Sequence, residues 1–316
     1  MGARGNSSSR WLTSSKVESG LETETFAKPP NIWLLGMRPR TLTMAAVPVI
    51  VGAVLAWAGG YNPAWVTFIA TLTCAVLIQI GTNLLNDVKD GERGADGPDR
   101  IGPLRITGAG LAEPKQVRRA AAGCFATALL AGLYLVFVGG MPILLIGVAS
   151  LVSGYAYSSG RRPLSHGPFS EVYVIVFFGL IAVAGSYFLQ SGQLPESAVL
   201  LTGIAIGCYA AAVLLVNNLR DTEADLRAGR RTLAGRLGTP AAQLLYGFLV
   251  LVPFPLLAVA WGVQALGLSW LSLPICLWLA VRFARMPVGP GMNAQLGRTA
   301  LVQVLVGTLL IVEQLS

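Results

Sequence analysis

Nine apolar runs, each close to the roughly 20 residues a helix needs to cross a bilayer, leave this chain little choice of fold. They lie at about 41–59, 64–85, 118–139, 141–158, 169–190, 197–218, 241–262, 267–284 and 299–315. The basic residues follow the same rhythm. The tail and first entry carry Arg4, Arg10, Lys16, Lys28, Arg38 and Arg40, and the segment after the second run carries Lys89, Arg93, Arg100, Arg105, Lys115, Arg118 and Arg119. Further on come Arg161 and Arg162, then Arg220, Arg227, Arg230, Arg231 and Arg236, then Arg282, Arg285 and Arg298. The intervening connections, 59–63, 139–142, 190–196 and 263–269, contain no Lys or Arg. All 23 basic residues thus fall on one side if the chain crosses nine times, with the N-terminus in the cytosol and the C-terminus outside. Only 12% of residues are charged against roughly a quarter in soluble domains, so the expected class is an all-α integral membrane protein. The net charge of +8 sits in connections between spans, which argues against a nucleic-acid partner. Residues 1–30 are polar and rich in Ser and Thr, without a signal-peptide core, and are expected to form a disordered cytosolic tail ahead of a domain over 31–316.

Four polar residues interrupt this apolar economy at the cytosolic end of the second run. Asn83, Asn86, Asp87 and Asp90 stand at i, i+3, i+4 and i+7, one face of a helix. A second set follows the sixth run: Asn218, Asp221 and Asp225, again spaced for one helical face. Polar faces at membrane helix ends are costly, so two at matching places point to a shared site. The spacing of 134 residues between Asp87 and Asp221 suggests duplication of a four-helix unit. The other acids Glu92, Asp99, Glu113 and Glu223 read as solvated, Arg161 and Arg162 as topology determinants, and the only histidine, His166, as incidental. The four cysteines lie inside apolar runs with no metal or disulfide spacing.

Asp87, Asp90, Asp221 and Asp225 would repel one another in a low-dielectric pocket unless cations stood between them. Hard oxygen ligands that leave room for others suit Mg²⁺ held jointly with substrate phosphates. Arg100, Arg105, Arg220, Arg230 and Arg231 are then natural phosphate partners. A diphosphate ester met at a membrane surface is most naturally a lipid diphosphate, and metal with arginine would stabilise diphosphate as it leaves.

These residues carry a resemblance. The chain is similar to the UbiA superfamily of membrane prenyltransferases, which has nine helices and two aspartate-rich motifs. The second motif stands intact as Asp221-Thr-Glu-Ala-Asp225. In the first, Asn86-Asp87-Val-Lys-Asp90, Gly94 takes the place of the last aspartate and Asp96 follows. That shift, with Arg100-Ile-Gly102-Pro103-Leu-Arg105, Arg38-Pro-Arg-Thr-Leu42, Phe177-Phe178-Gly179 and Gly229-Arg-Arg-Thr-Leu233, resembles the 1,4-dihydroxy-2-naphthoate prenyltransferase branch of menaquinone synthesis. The chain departs from the branch at Val88 and in the loop from Tyr155 to Glu171, which bears on the aromatic acceptor.

The resemblance implies nine helices around a central cavity open to the cytosolic side. It implies that Asn83, Asn86, Asp87, Asp90, Asp221 and Asp225 hold Mg²⁺ and diphosphate, with Asn218 also on the substrate. Lys89, Arg100, Arg105 and Arg220 would neutralise the leaving group. The partners implied are a polyprenyl diphosphate, an aromatic acceptor and membrane lipid. The location implied is a bacterial inner membrane, with the site facing the cytoplasm.

Overall fold

A computed structural model describes residues 31–92, 101–158, 164–263 and 267–316, with side chains at 154–158 and 166 excepted. The expected tail, Arg93, Asp96, Arg100 and the pair Arg161–Arg162 lie outside these residues. Among the described residues every regular element is helical: α1 (Ile32–Met37), α2 (Pro39–Ala58), α3 (Trp65–Glu92), α4 (Pro114–Ser158), α5 (Ser170–Ile175), α6 (Ala182–Ser191), α7 (Ser197–Arg220), α8 (Thr222–Arg227), α9 (Leu233–Leu251), α10 (Pro253–Trp261), α11 (Leu273–Ala284) and α12 (Gly291–Leu315). A π-helical turn, Val176–Ile181, joins α5 to α6.

Seven of the helical stretches are long and apolar enough to cross a membrane, against the nine runs read in the sequence. Two local features account for the difference. Runs 118–139 and 141–158 fall in the single stretch α4, interrupted at Gly140, whose backbone (φ 64°, ψ −149°) only glycine adopts without strain. The run near 267–284 is the shorter stretch Ser269–Ala284. Pro253 stands at the first residue of α10, inside the span Leu233–Trp261, and Pro274 in the first turn of α11, positions where a missing N–H costs little. Pro48 lies inside α2, which continues on either side of it.

The core is built around α7. Ala205, Ile206, Tyr209 and Ala210 to Ala212 are fully buried there, and α2, α6, α9, α10 and α12 all pack against this helix. The π-helical turn approaches closest of all. A Cβ on Gly179 would lie 2.4 Å from the Gly203 carbonyl oxygen and 2.6 Å from the Gly207 Cα. Three glycines therefore permit backbone-on-backbone contact, the packing that replaces the hydrophobic effect inside a bilayer. Buried polar pairs add to it: Tyr246 Oη lies 2.7 Å from Thr299 Oγ1, and Gln190 accepts from Trp57 Nε1 at 2.9 Å.

Candidate active site

The polar ends of α3 and α7 open on one cavity of about 770 Å³. Asn83, Asn86 and Asp90 line it from α3, Asn217, Asn218 and Arg220 from α7, and Asp221, Asp225 and Arg230 from the segment that follows. Its other walls are mostly apolar: Met44 of α2, Ile78 of α3, Leu129, Leu133, Leu144 and Leu151 of α4, Phe177 and Phe178 of the π-helical turn, and Val213 and Leu214 of α7, with a few polar side chains such as Gln79 and Ser186 among them. The two polar sets, more than a hundred residues apart in sequence, thus meet at one end of an apolar space.

On the α3 side the helix runs unbroken through Glu92, so the expected single face holds. Asn83 donates from Nδ2 to the Met37 carbonyl at 2.8 Å and to Thr41 Oγ1 at 2.9 Å, which pins α3 to the α1–α2 junction. That junction turns at Arg38, the only non-glycine residue with positive φ among those described, and Arg38 too lines the cavity. Asp87 takes a different place from its neighbours. It is 1% exposed, and its carboxylate accepts from the backbone N–H of Ile106 at 3.0 Å, from that of Thr107 at 2.9 Å and from Thr107 Oγ1 at 2.6 Å. It clasps the 101–107 segment to α3 and does not line the cavity. The clasp brings Arg105 of that segment onto Asp90, where the two form a buried ion pair. Lys89 lies in the last turn of α3, half-buried and outside the cavity lining.

On the α7 side the geometry departs from expectation. One continuous helical face for Asn218, Asp221 and Asp225 is not formed, because α7 ends at Arg220 and Asp221 adopts φ −95°, ψ 9° before α8 begins. Thr222 explains part of the break: its hydroxyl donates to the carbonyls of Asn218 and Leu219, both at 3.0 Å, in competition with the helical ladder. Arg220 forks onto the Asp221 carboxylate, with Nε 2.8 Å and Nη2 2.6 Å from its two oxygens. The same guanidinium reaches Asn217 Oδ1 at 2.8 Å and Asn293 Oδ1 at 2.7 Å. Asn218 donates to Glu171 Oε1 at 2.9 Å, and Glu171 also accepts from Ser170.

One residue joins the two sides. Arg230 pairs with Asp90 of α3 through Nη2 and with Asp225 of α8 through Nη1 at 3.3 Å. Burial pushes the Asp225 carboxyl up to about 6; Arg230 opposes the rise, while Asp221 and Asp90 add to it. Burial works against the Arg230 charge, but Asp90 and then Asp225 outweigh it and hold its pKa above the usual arginine value. Among the described residues no three His, Cys, Asp or Glu stand close enough together to hold a metal as they are, since Asp90, Asp221 and Asp225 are each turned to an arginine. The donor set itself is all oxygen, and one guanidinium sits where two carboxylates need a cation. That suits a hard divalent ion in exchange for the arginine.

Two residues here escaped the sequence reading as members of the site. Asn293, in the first turn of α12, accepts from Arg220 and donates to the Ile101 carbonyl at 2.9 Å. Glu171 is 3% exposed at the start of α5. A lone amide at the mouth of one apolar run and a lone acid at the mouth of another were the available signals. Arg231, by contrast, is exposed and outside the cavity lining.

Known proteins share this arrangement of helices. The chain is 37% identical over 247 residues to 1,4-dihydroxy-2-naphthoate octaprenyltransferase of Mycobacterium tuberculosis, covering 76% of this chain and 83% of that one. It is 37% identical over 238 residues to the protein of that name from Escherichia coli, covering 72% and 76%. Among solved structures, a UbiA homolog from Aeropyrum pernix superposes with a TM-score of 0.65 at 16% identity, over 85% of this chain and 97% of that one. A UbiA homolog from Archaeoglobus fulgidus, solved with DMAPP and Mg²⁺, superposes with a TM-score of 0.60 at 13% identity, over 89% and 99%. The model of the UbiA prenyltransferase family matches residues 45–290, and with most of its length accounted for in this way the chain belongs to that family.

Proposed function

We propose that the chain transfers a polyprenyl group from its diphosphate to 1,4-dihydroxy-2-naphthoate, with loss of CO₂, as a step in menaquinone synthesis. The observation that carries this reading is the bridge from Asp90 through Arg230 to Asp225, at the polar end of a cavity with mostly apolar walls. A diphosphate fits the first feature and an isoprenoid chain the second. The names of the bacterial relatives favour the naphthoate acceptor.

Asn86, Asp90, Asp221 and Asp225 would supply the oxygens that hold Mg²⁺, whose charge would stabilise the departing diphosphate. Asp87 serves them by holding the 101–107 segment in place. Arg105, Arg220 and Arg230 pair with these carboxylates, and their guanidinium groups would take phosphate oxygens where a metal took the carboxylates. Lys89 and Arg100 serve as further cations for the leaving group, and Asn83 and Asn218 orient the cavity's polar end. The allylic C–O bond breaks, the electron pair leaves on diphosphate, and the electron-rich ring carbon bonds to C1 of the prenyl cation. Departure of the ring carboxylate as CO₂ then restores aromaticity. Phe177, Phe178 and the leucines of α4 keep water from the cation. Leu133 and Leu151 line the cavity yet are 57% and 46% exposed, so the α4 wall gives the prenyl tail access to lipid.

The same reading takes the chain as nine crossings: the two halves of α4 that meet at Gly140, the short stretch Ser269–Ala284 and six others. It puts the basic side in the cytoplasm of a bacterial inner membrane, and residues 1–30 as a tail before the enzyme domain. Purified protein with Mg²⁺, an allylic diphosphate and dihydroxynaphthoate tests the proposal. Diphosphate and a decarboxylated 2-prenyl-1,4-naphthalenediol are expected by mass spectrometry. A product from another phenol only would overturn the acceptor, and release unaltered by Asp90→Asn would overturn the mechanism.

A further inference from the structure

Residues 226–312 contain no Asp or Glu, yet they carry seven arginines. Arg230 belongs to the active site, but Arg282, Arg285 and Arg298 lie on or beside α11 and α12 and none of them lines the cavity. Trp278 of α11, half exposed, gathers two of them. The Arg282 guanidinium carbon, one helical turn along α11, is 5.5 Å from the centroid of the indole ring, and that of Arg298 on α12 is 5.7 Å from it. Arg40 of α2 reaches the same part of α12, since a Cβ on Gly297 would lie 3.8 Å from its Nη1.

Among the described residues no carboxylate pairs with Arg40, Arg282, Arg285 or Arg298. Arg298 Nη1 is buried without a hydrogen bond. Two guanidinium groups at one ring repel each other, and the weak attraction of an exposed ring does not offset a partly desolvated cation. The cluster lacks an anion. Its surroundings say which kind. Leu277 and Val281 of α11 and Leu301 of α12 are exposed apolar side chains on the same two helices. A tryptophan beside arginines at the basic ends of spans is the composition of the headgroup level.

We propose that Trp278, Arg282 and Arg298 form a binding site for an anionic phospholipid, separate from the diphosphate cavity. The guanidinium forks take the phosphate, as arginine does bidentately, and the acyl chains lie along the exposed leucine and valine faces.

Native mass spectrometry of the full chain in neutral detergent tests this, with phosphatidylglycerol and phosphatidylcholine offered in equal amounts. Wild-type protein is expected to retain phosphatidylglycerol preferentially. Arg282→Gln should weaken that preference about fivefold and Arg282→Gln/Arg298→Gln more than tenfold. Arg119→Gln, at an exposed position on α4, should leave it unchanged. Arg282 is exposed, so the single variant keeps its fold and can be checked by an unaltered melting temperature in the same detergent. Equal preference in the wild type and the double variant would overturn the site. Displacement of either lipid alike by millimolar inorganic phosphate would show a free-phosphate site and overturn the lipid assignment.

Discussion

The two aspartate-rich stretches share a spacing in sequence and differ in what they do with it. On α3 the helix is continuous, and its first aspartate, Asp87, is spent on backbone N–H groups of the 101–107 segment. On the α7 side the helix breaks at the first aspartate, and Asp221 is held by the arginine next to it in sequence. The second aspartates converge instead: Asp90 and Asp225 share Arg230. Similarly spaced aspartates therefore carry unequal duties. One stretch builds the scaffold that delivers Arg105, and the other holds the ion pairs of Arg220 and Arg230.

The sharpest way to break that comparison is to remove the shared pair. Asp90→Asn or Asp225→Asn should lower the rate of diphosphate release on the order of 10²–10³-fold with the protein still folded, read in single-turnover assays. If only one of the two does so, the convergence at Arg230 is incidental. A smaller effect separates Asp225 by acidity. Its carboxyl is raised to about 6 in the metal-free protein, so protons compete with a divalent ion below that pH. Affinity for Mg²⁺ should fall by up to about tenfold per pH unit below about 6 by calorimetry. The sign for stability is opposite: the folded state binds the proton more tightly than the unfolded one, so this group favours the metal-free fold as pH drops from about 6 towards the ordinary carboxylate value.

Two packing changes sharpen the contrast between the sides. Gly179→Ala forces a methyl to within 2.4 Å of the Gly203 carbonyl oxygen and should cost about 1–3 kcal/mol, seen as a lower melting temperature. Gly132→Ala on α4 has open space around it and should leave the melting temperature nearly unchanged. Thr107→Val removes the hydroxyl bonds to Asp87 while keeping the backbone ones, for about 1 kcal/mol. Its signature is a rise in KM for the diphosphate substrate greater than any fall in kcat, because Arg105 is then less well placed against Asp90.

Most of the framework was legible in the chain. Long apolar runs have only helices open to them in lipid, since every backbone N–H and C=O must be satisfied within the segment. The four polar residues on α3 had to share a face once that helix formed. The span count was less legible: whether 118–158 is one stretch or two rests on a single glycine, Gly140, and its φ is not written in hydropathy. The break at Asp221 was also hidden, because it depends on a threonine hydroxyl competing with backbone bonds in a helix end.

By itself the sequence determined an all-helical membrane protein with two acidic stretches at helix ends. It did so because period and polarity are local properties. Only the tertiary structure decided which carboxylates face the cavity, that Asp87 faces a loop, that Asn293 and Glu171 join the network, and that Arg230 closes the site. Those choices depend on which surfaces meet when α3, α7, α8 and α12 pack, and residues far apart along the chain become neighbours only through that packing.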